Sequence, residues 1–240
     1  MSVDGGPGAI LEVDAGFVVA TGIECSAPRI AGGVRQDELR KTGHWDRVED
    51  DLALVADFGI RFVRYGIPFH VVAAEPDHLD WSWTDRAMNA FRENRLVPIA
   101  DLLHFGLPDD LEGFGDPRLP DRFASFAAAF AARYPWVRHY TPVNEPLISA
   151  RFSAQLGWWN ERRTDDRSFV AAIDGASTCA VLGMARIREV RPEIVQQQIG
   201  VGPDRLAAGG GDAGHRELDG GGPFHALVPA QLDGGAGVAP

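Results

Sequence analysis

An alternation between apolar, β-branched segments and segments of helical periodicity is the feature that most constrains the fold of this chain. The apolar segments start roughly 35–45 residues apart, which is the length of a strand–helix unit with some loop insertions. Each is a continuous apolar run rather than an alternating one, and this is typical of a parallel sheet covered on both faces. Strands are predicted at residues 17–23, 60–67, 96–103 and 137–143, with a candidate fifth strand at 194–199.

Helices are predicted between these strands from apolar residues spaced three and four apart. They cover residues 45–58, 81–94, 121–134 and 168–190, and the Gly-rich, charged segment 29–43 is predicted to be a loop. Thr84 and Ser168 are candidate N-caps of the second and fourth helices. This order predicts an α/β fold, either a doubly wound sheet or the first four to five units of a (β/α)8 TIM barrel. No Gly-x-Gly-x-x-Gly motif follows the first strand, so a nucleotide-binding doubly wound sheet loses its main support.

The two ends of the chain differ in character from this central part. Residues 1–16 are polar and Gly-rich and are expected to form a flexible lead-in, so the barrel part is expected to span residues 17–198. Residues 199–240 are Gly-rich without a helical or strand period, and we expect them to be disordered because they have too few apolar residues to offset the entropy of ordering. Two explanations of this segment stay open, a flexible tail and a change of reading frame near residue 198.

Charge and composition argue against several classes of partner. The formal net charge of -11 argues against nucleic acid, because binding to phosphates needs a surplus of Lys and Arg. No apolar run approaches the roughly 18–20 residues that a membrane helix needs, so no membrane span is expected. The N-terminus lacks the basic and apolar regions of a secretory signal. Cys25 and Cys179 are too few for a disulfide framework, so a reducing, cytoplasmic location is expected.

Chemically capable residues follow four successive predicted strands. Glu24 lies at the end of the first, Arg64 in the second, His104 at the end of the third, and Asn144-Glu145 at the end of the fourth. Each alone has an ordinary structural explanation, such as a satisfied buried histidine, an ion-pair partner, or an acid at the start of a helix. The carboxyl ends of barrel strands carry the functional residues of such folds, so their joint occurrence favours a functional site.

These residue types suit a carbohydrate better than other ligands. The sequence has no Cys/His cluster with zinc spacing, no His-Glu-x-x-His and no Gly-x-Ser-x-Gly elbow, which argues against a bound metal and an acyl-transfer serine. No cofactor is expected. Amide, imidazole and carboxylate groups can hold sugar hydroxyls, tryptophan can support the apolar face of a sugar, and a Glu can protonate a glycosidic oxygen.

Four segments together resemble glycoside hydrolase family 1, the β-glucosidase type of clan A. The Asn144-Glu145-Pro146 segment is similar to the motif that ends strand four in that clan, and the resemblance covers most of residues 17–195. Residues 45–54 are similar to the first helix of the family, 61–67 to its second strand, and 101–108 to its Leu-x-His-Trp-Asp-x-Pro segment.

The resemblance implies a role for each candidate residue in retaining hydrolysis of a small glycoside. Glu145 matches the general acid/base, and Asn144 matches the residue that binds the sugar 2-hydroxyl. His104 matches a ligand of the sugar in the cleaved-bond subsite, and Arg64 matches the arginine that holds the catalytic nucleophile. Glu24 falls near a position where the family usually has Gln.

Two departures from the family pattern limit this expectation. Phe105-Gly106 replaces the usual Trp-Asp. With this replacement the chain resembles a divergent branch of the family, such as the hydrolase-like domains joined to sugar-nucleotide reductases. The family nucleophile, a Glu ending strand seven, has no counterpart after Glu145, since Glu217 is the only Glu beyond Glu193. We therefore expect an incomplete barrel, inactive alone, whose open edges self-associate. The alternative is a non-catalytic carbohydrate-binding or interaction module that reuses half a barrel.

Overall fold

Four parallel strands form the centre of the structure, a computed structural model that describes residues 19–194. The strands are β1 (Ala20–Ile23), β2 (Phe62–Gly66), β3 (Val97–Asp101) and β4 (His139–Thr141). They pair in the order β1-β2-β3-β4, so each strand lies beside its neighbours in the sequence. All three pairings are parallel, as the strand–helix alternation predicts. This is the arrangement of the first four strands of a (β/α)8 barrel.

Seven α-helices accompany the strands in the same part of the chain. They are α1 (Glu38–Thr42), α2 (His44–Asp57), α3 (Phe69–Val72), α4 (Ser82–Glu93), α5 (Leu119–Arg133), α6 (Pro146–Ala150) and α7 (Asp166–Val190). A 3-10 turn at Ala31–Gly33 precedes α1, and a π-helical turn at Arg151–Gln155 follows α6. The four long helices α2, α4, α5 and α7 occur where the periodicity predicts them.

Both predicted N-caps are wrong. Helix α7 is capped by Asp165, whose carboxylate accepts a hydrogen bond of 2.9 Å from the backbone N–H of Ser168. Thr84 is fully buried within α4, and the carboxylate of Asp80 accepts from the Ser82 N–H at the start of that helix. In both cases an aspartate slightly upstream presents an acceptor to the unpaired N–H groups of the first turn, which is the role that the predicted cap was expected to have.

The prediction of a loop over residues 29–43 is also wrong in part, because α1 lies within it. Asp37 caps this helix by accepting from the Arg40 N–H at 2.9 Å. Gly43 ends it with a φ of 74°, a left-handed conformation that glycine adopts without strain. A helix of five residues is too short to show a hydrophobic period, so only these two caps indicate it in the sequence.

The core lies between the sheet and the outer helices, and α5 packs against α7. Helix α5 buries Phe123, Phe126 and Phe130 completely, and each such ring contributes about 1.5–3 kcal/mol of burial free energy. Helix α7 can approach α5 closely because Gly183 has no side chain. A Cβ at this position would lie 2.6 Å from the Phe123 ring. Burial of this kind places α7 as a covering helix of the barrel.

Among residues 19–194, α7 also has the length and composition of a helix that could cross a membrane. Asp174 and Arg186 lie within it, so its apolar run is interrupted. The buried residues Ala172, Ala176 and Cys179 follow a helical spacing and belong to the hydrophobic core. The prediction that no apolar run approaches the length of a membrane helix is therefore wrong for this segment, and one face of α7 is buried in the core.

Several predictions concern residues outside the described range. The lead-in at 1–16, the first residues of the first predicted strand, the Gly-rich segment 199–240 and nearly all of the candidate fifth strand lie there. Of that fifth strand only Ile194 is described, and it is buried at the end of the described chain. Both cysteines are free and buried.

Candidate functional site

Four of the five candidate residues meet at the carboxyl edge of the sheet. Glu24 directly follows β1, Arg64 is the third residue of β2, and His104 and Asn144 lie three residues beyond β3 and β4. Arg64 Nη2 donates to Asn144 Oδ1 at 2.6 Å, and His104 Nε2 lies 3.0 Å from Glu24 Oε2. Asn144 Nδ2 lies 3.1 Å from the same His104 nitrogen. The strand-end pattern in the sequence thus corresponds to one network of contacts.

The backbone brings His104 and Asn144 together. The Asn144 N–H donates to the Leu103 carbonyl at 2.9 Å, and the Leu102 N–H donates to the Thr141 carbonyl at 3.0 Å. These bonds continue the pairing of β3 and β4 past the ends of both strands. The two following side chains therefore lie side by side at the open edge.

Asp101, the last residue of β3, is the functional candidate that sequence reasoning missed. Its side chain is almost completely buried, and its Oδ2 lies 2.7 Å from Arg64 Nη2 and 2.7 Å from His104 Nδ1. The signal for it was present, because an aspartate inside an otherwise apolar predicted strand is rarely buried unless it is paired. It joins Arg64 and His104 into one cluster.

The charges of this cluster balance at neutral pH. Burial lowers the pKa of His104, but the charges of Asp101 and Glu24 and their hydrogen bonds outweigh burial and raise that pKa to about 9. The hydrogen bond from His104 in turn lowers the pKa of Glu24. Two cations, Arg64 and the His104 imidazolium, therefore face two carboxylates, and both nitrogens of His104 are hydrogen-bond donors.

Glu145 lies beside this network but outside it. It has a φ of 42° and a ψ of 66°, the left-handed region that a bulky residue rarely occupies, and it directly precedes α6. The turn directs consecutive residues differently, since Asn144 is buried and Glu145 is exposed. Within residues 19–194 the Glu145 carboxylate has no hydrogen-bond partner. Strain of about 1–3 kcal/mol at such a residue is a feature of functional sites.

Aromatic rings form one wall of the site. Phe105, with a φ of 65°, places its ring edge-on to His104 at 4.7 Å between centroids, and Trp159 lies 4.8 Å from Phe105. Asn160 holds the Phe105 backbone by donating from Nδ2 to its carbonyl at 3.1 Å. An aromatic surface next to a polar cluster is suited to the apolar face of a sugar.

Gly106, which departs from the family pattern, leaves no room for a side chain in this structure. A Cβ at this position would lie 2.7 Å from His70 Nδ1 and 3.1 Å from the Ala27 side chain. The His70 ring thus occupies the space that a side chain at residue 106 would need. Burial lowers the pKa of His70 to about 4, so this ring is neutral.

Two clefts lie in the described part of the chain, one of about 840 Å³ next to Trp45 and His70 and one of about 770 Å³ next to Arg29 and Glu161. Neither is lined by the strand-end cluster or by Glu145. In the part of the chain that the structure describes, no three His, Cys, Asp or Glu side chains are arranged to hold a metal ion.

Sequence relatives of the chain are β-glucosidases. β-Glucosidase 4 of Oryza sativa subsp. japonica is 29% identical over 119 residues, which is 45% of this chain and 24% of the relative. Thermostable β-glucosidase B of Thermobispora bispora is 29% identical over 124 residues, 48% of this chain and 26% of the relative. The alignments thus span about a quarter of the length of these relatives.

Solved structures with the same fold include the β-glucosidase of Thermotoga maritima in complex with cyclophellitol, with a TM-score of 0.64 and 16% identity. That match covers 75% of this chain and 47% of the solved chain. The AHE enzyme from Alicyclobacillus herbarius matches with a TM-score of 0.65 and 20% identity over 75% of this chain and 46% of its own. At these identities the likeness shows the fold, an incomplete (β/α)8 barrel that spans about half of each solved chain.

A family model matches the chain from residue 33 to residue 199, a range that includes α2, β2 to β4, α7 and all candidate residues except Glu24. The match covers more than half of the chain, and the named relatives agree with it. The chain belongs to glycosyl hydrolase family 1.

Proposed function

We propose that this chain supplies the sugar-binding and acid/base half of a retaining β-glycosidase that acts on small glycosides. The observation that carries the proposal is the network of Glu24, Arg64, Asp101, His104 and Asn144 beside an exposed Glu145. Family membership and relatives named β-glucosidases support the reaction class. Complexes of the Thermotoga maritima enzyme with castanospermine and glucoimidazole support a carbohydrate ligand.

In this proposal Glu145 protonates the oxygen of the leaving group and later removes a proton from water. Retaining hydrolysis needs a second carboxylate about 5–5.5 Å away, which forms and then releases the glycosyl-enzyme. We assign no residue among 19–194 to this nucleophile, since Asp101 is buried and paired and Glu24 is bound to His104. The nucleophile is therefore proposed to lie outside this part of the chain, and this part alone is proposed to be inactive.

The sugar would meet donors and acceptors that are already ordered. The His104 imidazolium donates from Nε2, and the Glu24 carboxylate only accepts. A sugar hydroxyl can both donate and accept, so one hydroxyl can bridge these two side chains. Asn144 Nδ2 cannot donate to a protonated His104 nitrogen, and it remains available to a second sugar oxygen.

Calorimetric titration of the full chain with glucoimidazole tests the proposal, together with assays on aryl β-glucoside, β-galactoside and β-fucoside. We expect binding without turnover, and we expect Asn144→Ala to weaken binding about tenfold because a buried hydrogen-bonding group is lost. Glu49→Gln is the matched control, since Glu49 pairs with Arg86 on the exposed surface. Absence of binding by the unaltered chain would refute the proposed function. Turnover that Glu145→Gln abolishes would show that the site is complete.

A second candidate function is a non-catalytic carbohydrate-binding or interaction module, or else a hydrolase-like domain associated with sugar-nucleotide metabolism. The Phe105-Gly106 departure from the family's Trp-Asp favours it. Binding of glucoimidazole that Glu145→Gln leaves unchanged, with no turnover in any longer form of the protein, would support this candidate. A cytoplasmic location is proposed for either function, and the two free, buried cysteines support it.

A further inference from the structure

We propose that Asp101 is a positioning residue of the sugar site, whose carboxylate fixes the His104 ring and keeps a proton on the nitrogen that faces the sugar. This inference rests on the proposed function for its sugar, but its first test does not depend on any ligand. Neither the family resemblance nor the strand-end pattern assigns a role to Asp101.

The position of Asp101 is fixed by the sheet. Its backbone pairs with Gly66 of β2 on one side and Thr141 of β4 on the other, and its carbonyl accepts from the Ile67 N–H at 2.8 Å. The side chain is 2% exposed, so it has little freedom to choose another partner. A carboxylate held this firmly orients the imidazole that it binds.

A single oxygen of Asp101 serves two cations. Oδ2 lies 2.7 Å from His104 Nδ1 and 2.7 Å from Arg64 Nη2. Arg64 is thereby held as well, and its Nη2 also reaches Asn144 Oδ1. The orientation of His104, Arg64 and Asn144 therefore depends on one buried carboxylate.

The groups around His104 come from all four strand ends. Glu24 and the buried Cys25 follow β1, Arg64 is on β2, Asp101 is on β3, and Asn144 with Glu145 follows β4. Burial, Asp101 and Glu24 all raise the pKa of the Cys25 thiol, which is therefore neutral. Among the groups in contact with His104, Asp101 and Glu24 are the carboxylates, and only Asp101 is shielded from solvent.

The contacts of His104 Nε2 show why its proton matters. Glu24 Oε2, at 3.0 Å, needs a donor, whereas Asn144 Nδ2, at 3.1 Å, needs an acceptor. Both contacts cannot be hydrogen bonds in one protonation state. With Asp101 present, Nε2 carries a proton, binds Glu24 and leaves the Asn144 amide free for the sugar. Without that carboxylate the ring is neutral at a lower pH and has one proton for two nitrogens, so Nε2 no longer donates in every molecule and its contact alternates between Glu24 and Asn144.

The first test is an NMR titration of the full chain labelled with ¹⁵N-histidine, with the His104 signals assigned through His104→Gln. We expect both ring nitrogens of His104 to be protonated at neutral pH. Asp101→Asn should lower the midpoint of the His104 titration by about 1–3 pH units. The matched control is Asp51→Asn, which removes the carboxylate 2.7 Å from another buried histidine, His44, and should leave His104 unchanged.

Three results would overturn the proposal. A neutral His104 in the unaltered chain at neutral pH would overturn it without any variant. This result can be obtained even if Asp101→Asn does not fold. An unchanged His104 midpoint in folded Asp101→Asn would do so directly. An equal shift in Asp51→Asn would show a general effect of stability rather than a local one.

The second test measures glucoimidazole affinity by calorimetry across pH. Asp101→Asn should weaken binding about tenfold or more at neutral pH, and the loss should diminish at lower pH, where the ring is protonated without help. A loss that is the same at every pH would indicate only a structural role and would contradict the proposal. If the unaltered chain fails to bind the probe, the proposed function fails while the titration still decides the role of Asp101.

Discussion

The contact between Gly106 and His70 makes a quantitative prediction about the structure next to the site. Gly106 has an ordinary backbone conformation, so adding a methyl group there tests space alone. In Gly106→Ala the new Cβ would lie 2.7 Å from His70 Nδ1 and 3.1 Å from the Ala27 Cβ, whereas carbon contacts normally begin near 3.5 Å. Because His70 is buried and one of its ring nitrogens would meet the new methyl group, we expect a loss of about 1–3 kcal/mol in the free energy of unfolding.

A double-mutant cycle in urea denaturation measures whether His70 causes this loss. His70→Ala alone should destabilise the chain by leaving a cavity, but in that background Gly106→Ala should cost less, with a coupling of about 0.5–3 kcal/mol. Gly22→Ala is the matched control, since its Cβ would meet only the Arg64 carbonyl at 3.7 Å. Equal costs of Gly106→Ala with and without His70, or an equal cost at Gly22, would refute the reasoning.

Three further predictions concern pH, capping and association. His104 contributes stability that is fully present below the ordinary histidine pKa near 6.5 and is lost as the pH rises through about 9. The difference in unfolding free energy between the unaltered chain and His104→Gln should therefore shrink between these pH values. A difference that stays constant would contradict this prediction. Asp165→Ala should lower the free energy of unfolding by about 0.5–2 kcal/mol and Ser168→Ala by less, as measured in urea. Because β1 and β4 each have one unpaired edge among residues 19–194, light scattering should show concentration-dependent dimers, and a monomer at all concentrations would argue against this.

The long elements could be predicted from the sequence because their residues repeat a pattern many times. Helices α2, α4, α5 and α7 each contain several turns with buried residues at helical spacing, and the strands lie within mainly apolar segments. Helix α1 has no such repetition and depends on Asp37 and Gly43 alone. The cap of α7 was misplaced because Asp165 and Ser168 both have side chains that can cap a helix, and only the backbone geometry decides between them.

The candidate site was predictable in its location but not in its contacts. Parallel strands in sequence order bring their carboxyl ends together, so Glu24, Arg64, His104 and Asn144 could be grouped in advance. Asp101 was not grouped with them because it lies within an apolar segment, and its role depends on which direction its side chain takes from the strand. The left-handed conformation of Glu145 is likewise a result of the turn between β4 and α6, and no residue pattern indicates it.

The strand order has a consequence for how the chain folds as it is made. Each strand pairs with the strand that precedes it in the sequence, so every partner in the sheet has already left the ribosome when the next strand emerges. Addition of a unit to such a sheet closes a loop of about 35–45 residues rather than one that spans the chain, and short loops close at a lower entropic cost. We therefore expect the strand-end cluster to assemble in the order of synthesis, with Glu24 and Arg64 first, Asp101 and His104 next, and Asn144 last.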